Sequence, residues 1–183
     1  VLADGVTTIE NAAREPEIID LCTYLVKMGA RIDGIGTSRL RITGVERGRL
    51  TSCSHETVPD RIQAATYIAA CAVAGGELDL LNAQPSHMEM VLARFRDMGM
   101  EITTLPYGLR VAAPDRLRSI DVATLPYPGI ATDYKPLIIT MLSVAEGVAI
   151  VTENLYPGRF RYVEELQRLG ADVRTDGHHA VVR

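Results

Sequence analysis

The amino-acid sequence predicts an α/β (α+β) protein built from three copies of one helix-and-strand unit. The prediction rests on an aliphatic composition, on apolar patterns that switch between strand and helix periods, and on a spacing of about 71 residues at which the same signals return. Hydrophobic residues make up 47% of the 183 residues, with two Phe and no Trp. Such a chain can bury a core of Leu, Ile, Val, Ala and Met in one or two domains.

Glycines mark the start of each unit. Gly5, Gly76 and Gly147 are spaced 71 residues apart, and each precedes a short run that alternates apolar and polar residues. This alternation predicts a strand. The predicted strands cover residues 6–11, 77–82 and 148–154.

An amphipathic helix and a hairpin follow each predicted strand. The helices end at Gly29, Gly99 and Gly170, where glycine suits the left-handed conformation beyond a helix C-terminus. Two short apolar runs around a glycine-containing turn then predict a β-hairpin. The predicted hairpins pair residues 31–32 with 40–42, 101–102 with 109–111, and 172–173 with 180–182.

A further helix is predicted before the strand in the second and third units, over residues 60–74 and 133–145. The predicted order of elements in these two units is therefore helix, strand, helix, strand, strand. In the first unit the spacing places this helix before residue 1, so we expect the chain to begin inside a repeat. The polar segment 46–59 lacks periodicity and is predicted to be a linker or lobe boundary.

Composition argues against several kinds of partner. A formal net charge of −4 gives no broad positive surface for nucleic acid. No apolar run approaches the roughly 18 to 20 residues that span a bilayer, and no signal-peptide pattern opens the chain, so we expect a cytoplasmic protein with no membrane partner.

Neither the cysteines nor the histidines predict a metal site or a cofactor. Cys22, Cys53 and Cys71 lack CxxC spacing, which indicates reduced thiols. Cys22 and Cys71 lie in apolar helical patterns and are expected to be buried, whereas Cys53 lies in a polar segment. His178 and His179 fall in the third predicted hairpin, where we expect a surface turn.

Short motifs along essentially the whole chain resemble those of the enolpyruvyl transferases. They favour the branch that acts on UDP-N-acetylglucosamine over the branch that acts on shikimate 3-phosphate. The motifs are IENAAREPEI (9–18), MGARI (28–32), GIGT (34–37), ITGVE (42–46), VPDRI (58–62), NAQP (82–85), TD (132–133), TEN (152–154) and RF (159–160). One departure follows the Thr-Asp pair, where the family commonly has glutamine and this chain has Tyr134, Lys135 and Pro136.

The resemblance implies a two-lobed enzyme of inside-out α/β repeats. Residues 1–57 would be the last repeat of the lobe that carries the catalytic cysteine, and residues 58–183 two repeats of the other lobe. N-terminal and C-terminal parts of the same enzyme, including the cysteine loop, would be missing. The implied reaction is transfer of the enolpyruvyl group of phosphoenolpyruvate to the 3-hydroxyl of UDP-N-acetylglucosamine, the first committed step of peptidoglycan synthesis. This piece alone is expected to be inactive.

The resemblance also assigns roles to three residues. Asp133 would bind the sugar hydroxyl and accept its proton, the main chain of Leu155 would contact the UDP-sugar, and Arg159 would lie near the anionic substrates. From the residues alone, Asp133 also fits the N-cap of the helix predicted at 133–145.

The sequence also allows other candidate residues and other functions. Arg14 and Arg61 are weaker candidates for substrate binding, and Asp60 is expected to cap the helix predicted at 60–74. Two alternatives to the transferase are a non-catalytic scaffold or interaction domain of the same fold and a shikimate-phosphate carboxyvinyltransferase.

Overall fold

Strand pairing repeats three times along the chain in the computed structural model, which describes residues 1–183. In each repeat the first strand pairs antiparallel with the third, and the third pairs with the second, so the strand order is first, third, second. The strands are β1 (Val6–Glu10), β2 (Arg31–Asp33), β3 (Arg39–Thr43), β4 (Glu77–Leu81), β5 (Glu101–Leu105), β6 (Gly108–Ala112), β7 (Val122–Ala123), β8 (Ala149–Thr152), β9 (Val173–Asp176) and β10 (His179–Val182).

Helices fill the positions that the repeat predicts. Each repeat has one helix between its first and second strands, and the second and third repeats have another before the first strand. The helices are α1 (Pro16–Met28), α2 (Arg61–Ala74), α3 (Glu89–Asp97), α4 (Lys135–Leu142) and α5 (Tyr162–Arg168). The order helix, strand, helix, strand, strand is therefore confirmed for two repeats, and the first repeat lacks the initial helix.

The C-termini of α1, α3 and α5 share one hydrogen-bond pattern. The N–H of Gly29 bonds the carbonyl three residues earlier, and the N–H of Ala30 bonds the carbonyl five residues earlier, both at 2.9 Å. The same two bonds recur at Gly99 and Gly170. The three glycines have φ of 113°, 104° and 99°, which is the left-handed conformation of this cap. The predicted spacing of these glycines thus corresponds to a repeated backbone structure.

The chain divides into two compact units, Val1–Val58 and Pro59–Arg183. The first unit has a small core around Ala12, Cys22 and Leu40. The second has an extended core in which α2 packs against α4 and the side chains of α3 contribute fully buried residues. Cys71 belongs to this second core, so both cysteines predicted to be buried are confirmed. None of the helices has both the length and the apolar character needed to cross a lipid bilayer.

The start of α4 corrects a prediction. The sequence allowed a helix from Asp133 to residue 145 with the Asp133 side chain as its N-cap. Instead a 3₁₀ turn covers Thr132–Tyr134, α4 begins at Lys135, and no side chain caps it. The Asp133 carboxylate accepts a hydrogen bond from Arg159 instead. Asp133 therefore pairs with Arg159 and does not cap α4.

Two further features differ from the predicted pattern. The strand β7, which pairs parallel with β8, was not predicted because two residues cannot show a period. The predicted strand at 148–154 is shorter in the structure, where β8 ends at Thr152.

The N-terminus of α2 has the cap that the sequence predicts. The Asp60 carboxylate accepts hydrogen bonds from the N–H groups of Ile62 and Gln63 at 2.8 and 3.0 Å. These are two of the backbone donors that a helix start leaves without an internal partner.

We expect Asp60→Ala to lower the free energy of unfolding by about 1 kcal/mol, because both amides lose their acceptor. Asp60→Asn retains a side-chain oxygen and should cost only a few tenths of a kcal/mol. Urea unfolding followed by circular dichroism measures the difference. Equal losses in the two variants would contradict a capping role.

Candidate active site in the third repeat

Two of the three predicted site residues are in direct contact. Arg159 Nη2 donates to Asp133 Oδ1 at 2.8 Å, and Nη1 donates to Thr132 Oγ1 at 3.2 Å. The Asp133 and Arg159 side chains are 48% and 46% exposed, so a molecule in solution can reach both. Asp133 precedes α4 and Arg159 follows β8, which places the pair where two segments of the third repeat meet.

Leu155 joins this pair through a residue that the sequence analysis did not single out. Its N–H donates to Glu153 Oε1 at 2.8 Å, and the next N–H, of Tyr156, donates to the same oxygen at 3.1 Å. The other oxygen, Oε2, accepts from Thr132 Oγ1 at 2.7 Å. Glu153 therefore connects the turn that carries Leu155 to the residue that precedes Asp133.

The Glu153 side chain is completely buried, and its carboxylate has two further partners. Thr124 Oγ1 donates to Oε1 at 2.7 Å, and Lys135 Nζ lies 2.7 Å from Oε2. Lys135 is likewise fully buried, and its Nζ lies 3.9 Å from the centre of the Phe160 ring. We call Glu153 with Lys135, Thr124 and Thr132 the Glu153 cluster.

The Glu153 cluster shifts the pKa values of its charged members. Burial by itself raises the pKa of Glu153, but the adjacent Lys135 ammonium and hydrogen bonds from Thr124, Thr132 and the Leu155 N–H outweigh burial and lower it to about 2. Burial lowers the pKa of Lys135 below its usual range, and the adjacent Glu153 carboxylate only partly opposes this. At neutral pH Glu153 is therefore a carboxylate.

A buried hydroxyl lies near the same charges. The Tyr162 oxygen is buried and has no hydrogen-bond partner in the chain. Burial and the negative charge of Glu153 raise the pKa of Tyr162, so this group is a neutral phenol.

The weaker candidates, Arg14 and Arg61, and the predicted cap Asp60 belong to other segments of the chain. Arg61 is only 6% exposed, donates to the Tyr134 hydroxyl at 3.1 Å and lies over the rings of Tyr127 and Tyr134. Asp60 caps α2, as described above. Arg14 lies in the unit Val1–Val58, between β1 and α1.

One signal in the sequence could have identified Glu153. Asn11 and Asn82 directly follow the first strands of repeats one and two, and both adopt positive φ, of 53° and 63°. The residue 71 positions after Asn82 is Glu153, not the Asn154 with which the predicted strand ended. An acidic residue at the position of two turn-forming asparagines marks the place where the third repeat differs from the others.

Comparison with solved structures identifies the fold. The enolpyruvyl transferase NikO from Streptomyces tendae matches 99% of the chain with a TM-score of 0.83 at 22% identity. An EPSP synthase from Acinetobacter baumannii matches all of it with a TM-score of 0.50 at 19% identity. The chain covers 43% and 42% of these two proteins. The predicted α/β enolpyruvyl transferase fold is thereby confirmed.

Comparison of sequences identifies the family. The profile of EPSP synthase (3-phosphoshikimate 1-carboxyvinyltransferase) matches residues 1–183, and the chain belongs to this family. Over its whole length it is 51% and 48% identical to proteins named UDP-N-acetylglucosamine 1-carboxyvinyltransferase from Nocardia farcinica and Mycobacterium leprae. It spans 42% and 43% of these two relatives. The resemblance to the UDP-N-acetylglucosamine branch is confirmed.

A double-mutant cycle tests the buried ion pair. Glu153→Gln and Lys135→Met should each lower the free energy of unfolding by about 3 to 5 kcal/mol, because each leaves one buried charge without its partner. The double variant should lose less than either single one, since glutamine can retain hydrogen bonds and methionine fills the lysine volume beside Phe160. Chemical denaturation measures all four proteins. Additive losses would contradict a coupled pair.

Lowering the pH should remove the stabilising effect of the Glu153 carboxylate. The folded pKa of Glu153, about 2, lies below its usual value of 4.5, so its stabilising effect is complete above pH 4.5 and is lost as the pH falls toward 2. Below about pH 4.5 the free energy of unfolding should therefore fall more in the wild type than in Lys135→Met/Glu153→Gln, which has no carboxylate at this position. Denaturant unfolding from about pH 6 to about pH 3 measures it. A constant difference over this range would refute the depressed pKa.

Proposed function

We propose that this chain forms part of an enzyme that transfers the enolpyruvyl group of phosphoenolpyruvate to the 3-hydroxyl of UDP-N-acetylglucosamine. The observation that carries the proposal is the exposed contact between Asp133 and Arg159, beside the turn that carries Leu155. The chain is also about half identical to relatives named UDP-N-acetylglucosamine 1-carboxyvinyltransferase. The reaction would be an addition followed by elimination of phosphate. In a bacterial cell it would commit the UDP-sugar to peptidoglycan synthesis.

Asp133 would act as the proton acceptor. The attacking hydroxyl must lose its proton as it adds to phosphoenolpyruvate, and a carboxylate within hydrogen-bond reach can take it. Arg159 holds Oδ1 of Asp133, whereas Oδ2 makes no hydrogen bond within the chain. We propose that Oδ2 meets the sugar hydroxyl while the guanidinium fixes the orientation of the carboxylate.

Leu155 would bind the UDP-sugar through its carbonyl oxygen. Its N–H is already bonded to Glu153, so it cannot also serve the substrate. The carbonyl accepts no backbone hydrogen bond and belongs to the turn that Glu153 holds through two N–H groups. A carbonyl oxygen there would accept from an N–H or O–H group of the sugar.

Arg159 would contribute positive charge to the anionic substrates. Its two terminal nitrogens contact Thr132 and Asp133, and almost half of the side chain is exposed. Guanidinium groups pair with phosphate and carboxylate in two-point contacts. Phosphoenolpyruvate carries both groups, so its arrival next to Asp133 would be favoured by this arginine.

The rest of the enzyme would come from chain outside these residues. We propose that residues 1–57 belong to the lobe with the catalytic cysteine and residues 58–183 to the other lobe, and that this piece alone does not turn over. A non-catalytic scaffold of the same fold is the competing hypothesis. The complete enzyme distinguishes them, since a scaffold would release no phosphate from phosphoenolpyruvate with either UDP-N-acetylglucosamine or shikimate 3-phosphate as acceptor.

In the complete enzyme, Asp133→Asn should lower kcat at least roughly 100-fold, because the amide cannot accept the hydroxyl proton. Stability should change little, since the carboxylate is exposed and caps no helix. Phosphate release at saturating substrates measures kcat. The matched control is Asp97→Asn, since Asp97 is also 48% exposed and pairs with an arginine, Arg94, at 2.9 Å. A near-normal rate in Asp133→Asn would refute the assignment.

A further inference from the structure

We propose that Glu153 is a positioning residue of the site, since its buried carboxylate joins the turn that carries Leu155 to the segment that carries Asp133. The inference rests on the proposed function, because positioning matters only if these residues meet a substrate. Glu153 itself is fully buried and cannot touch one. Its effect would pass through the groups that it holds.

The contacts of Glu153 divide between the two segments of the site. On the turn after β8, Oε1 accepts from the N–H groups of Leu155 and Tyr156. On the segment before α4, Oε2 accepts from Thr132, whose backbone leads directly to Asp133. One carboxylate group, with rigid geometry between its two oxygens, thus fixes the separation of the segments.

Thr124 closes the cluster from a third segment. Its hydroxyl donates to Glu153 Oε1 at 2.7 Å and accepts from the N–H of Asn154 at 2.9 Å. Its carbonyl accepts from the Asn154 side chain at 3.1 Å. Both the main chain and the side chain of Asn154, the residue before Leu155, are therefore bonded to Thr124.

Arg159 is attached to the same framework. Thr132 Oγ1 donates to Glu153 and accepts from Arg159 Nη1 at 3.2 Å. A movement of Thr132 would therefore shift the guanidinium together with Asp133. Misplacement of reacting groups by about 1 Å can slow an enzyme roughly 100-fold.

Lys135 supplies the countercharge that permits this arrangement. Its ammonium contacts Glu153 Oε2 and lies over the Phe160 ring, and no water-exposed surface remains on either side chain. An isolated carboxylate would not stay ionised in such surroundings. If positioning depends on hydrogen bonds and not on charge, a neutral pair should replace Lys135 and Glu153, provided that an amide oxygen accepts from the turn and the amide N–H donates to Thr132 Oγ1.

Two double variants of the complete enzyme test this. Lys135→Met/Glu153→Gln retains an amide oxygen for the turn and should keep kcat within about threefold of the wild type. Lys135→Met/Glu153→Ala removes the acceptor and should lower kcat at least about tenfold and raise KM for UDP-N-acetylglucosamine. Neither variant leaves a buried unpaired charge, so the difference between them does not contain the cost of an uncompensated charge.

Stability is controlled separately. Leu92→Ala creates a cavity in α3, remote from the cluster in sequence, and should keep kcat within about twofold at a temperature where circular dichroism shows it folded. If the alanine double variant does not fold, Lys135→Met/Glu153→Met gives the same test, because it removes the acceptor and still fills the side-chain volume. Equal kcat in the glutamine variant and in the folded alanine or methionine variant would overturn the proposal.

Amide hydrogen exchange separates this inference from the proposed function. On the present chain, exchange of the Leu155 and Tyr156 amides should be at least about tenfold faster in the alanine double variant than in the glutamine one. If the complete enzyme releases no phosphate, the proposed function fails while the exchange result still stands. Unchanged exchange with a large fall in kcat would overturn positioning alone.

Discussion

The third repeat depends on the accommodation of one buried carboxylate. Removing Glu153 from water is costly unless every lone pair finds a donor, and here two hydroxyls, two backbone N–H groups and an ammonium meet it. These donors come from three separate stretches of chain. The electrostatic requirement of a single side chain therefore sets the relative positions of β8, the 3₁₀ turn before α4 and the segment after β7.

The site arises where the repeats stop being alike. Asp60 precedes α2, and Asp133 lies 73 residues further on, just before α4. Asp60 satisfies the first amides of its own helix, whereas Asp133 turns to Arg159 and leaves α4 without a side-chain cap. Once Asp133 is released from capping, its carboxylate is half exposed and has a free oxygen. The same residue type thus serves the fold in one repeat and is available to a ligand in the next.

The sequence predicted those parts of the structure whose causes are local. Gly29, Gly99 and Gly170 end helices because each supplies a positive φ, and Asp60 caps α2 because its acceptor is two and three residues from the amides it meets. Lys135 and Glu153 are 18 residues apart, and neither belongs to a local motif that requires the other. Their pairing follows from the packing of α4 against β8, which periodicity does not specify.

The two ion pairs of the site have opposite exposure, and their physical roles differ accordingly. A half-exposed pair such as Asp133–Arg159 contributes only about 0 to 1 kcal/mol to the free energy of unfolding. Either side chain can therefore leave the other and bind a substrate at little cost. The pair Lys135–Glu153 has no access to water, and breaking it leaves a charge that nothing else can solvate. Rigidity is thereby confined to the layer beneath the site, while the groups that would meet the substrate stay free to rearrange. A site built in the reverse order, with its reactive carboxylate buried and its support exposed, would hold neither a proton acceptor within reach nor a fixed geometry around it.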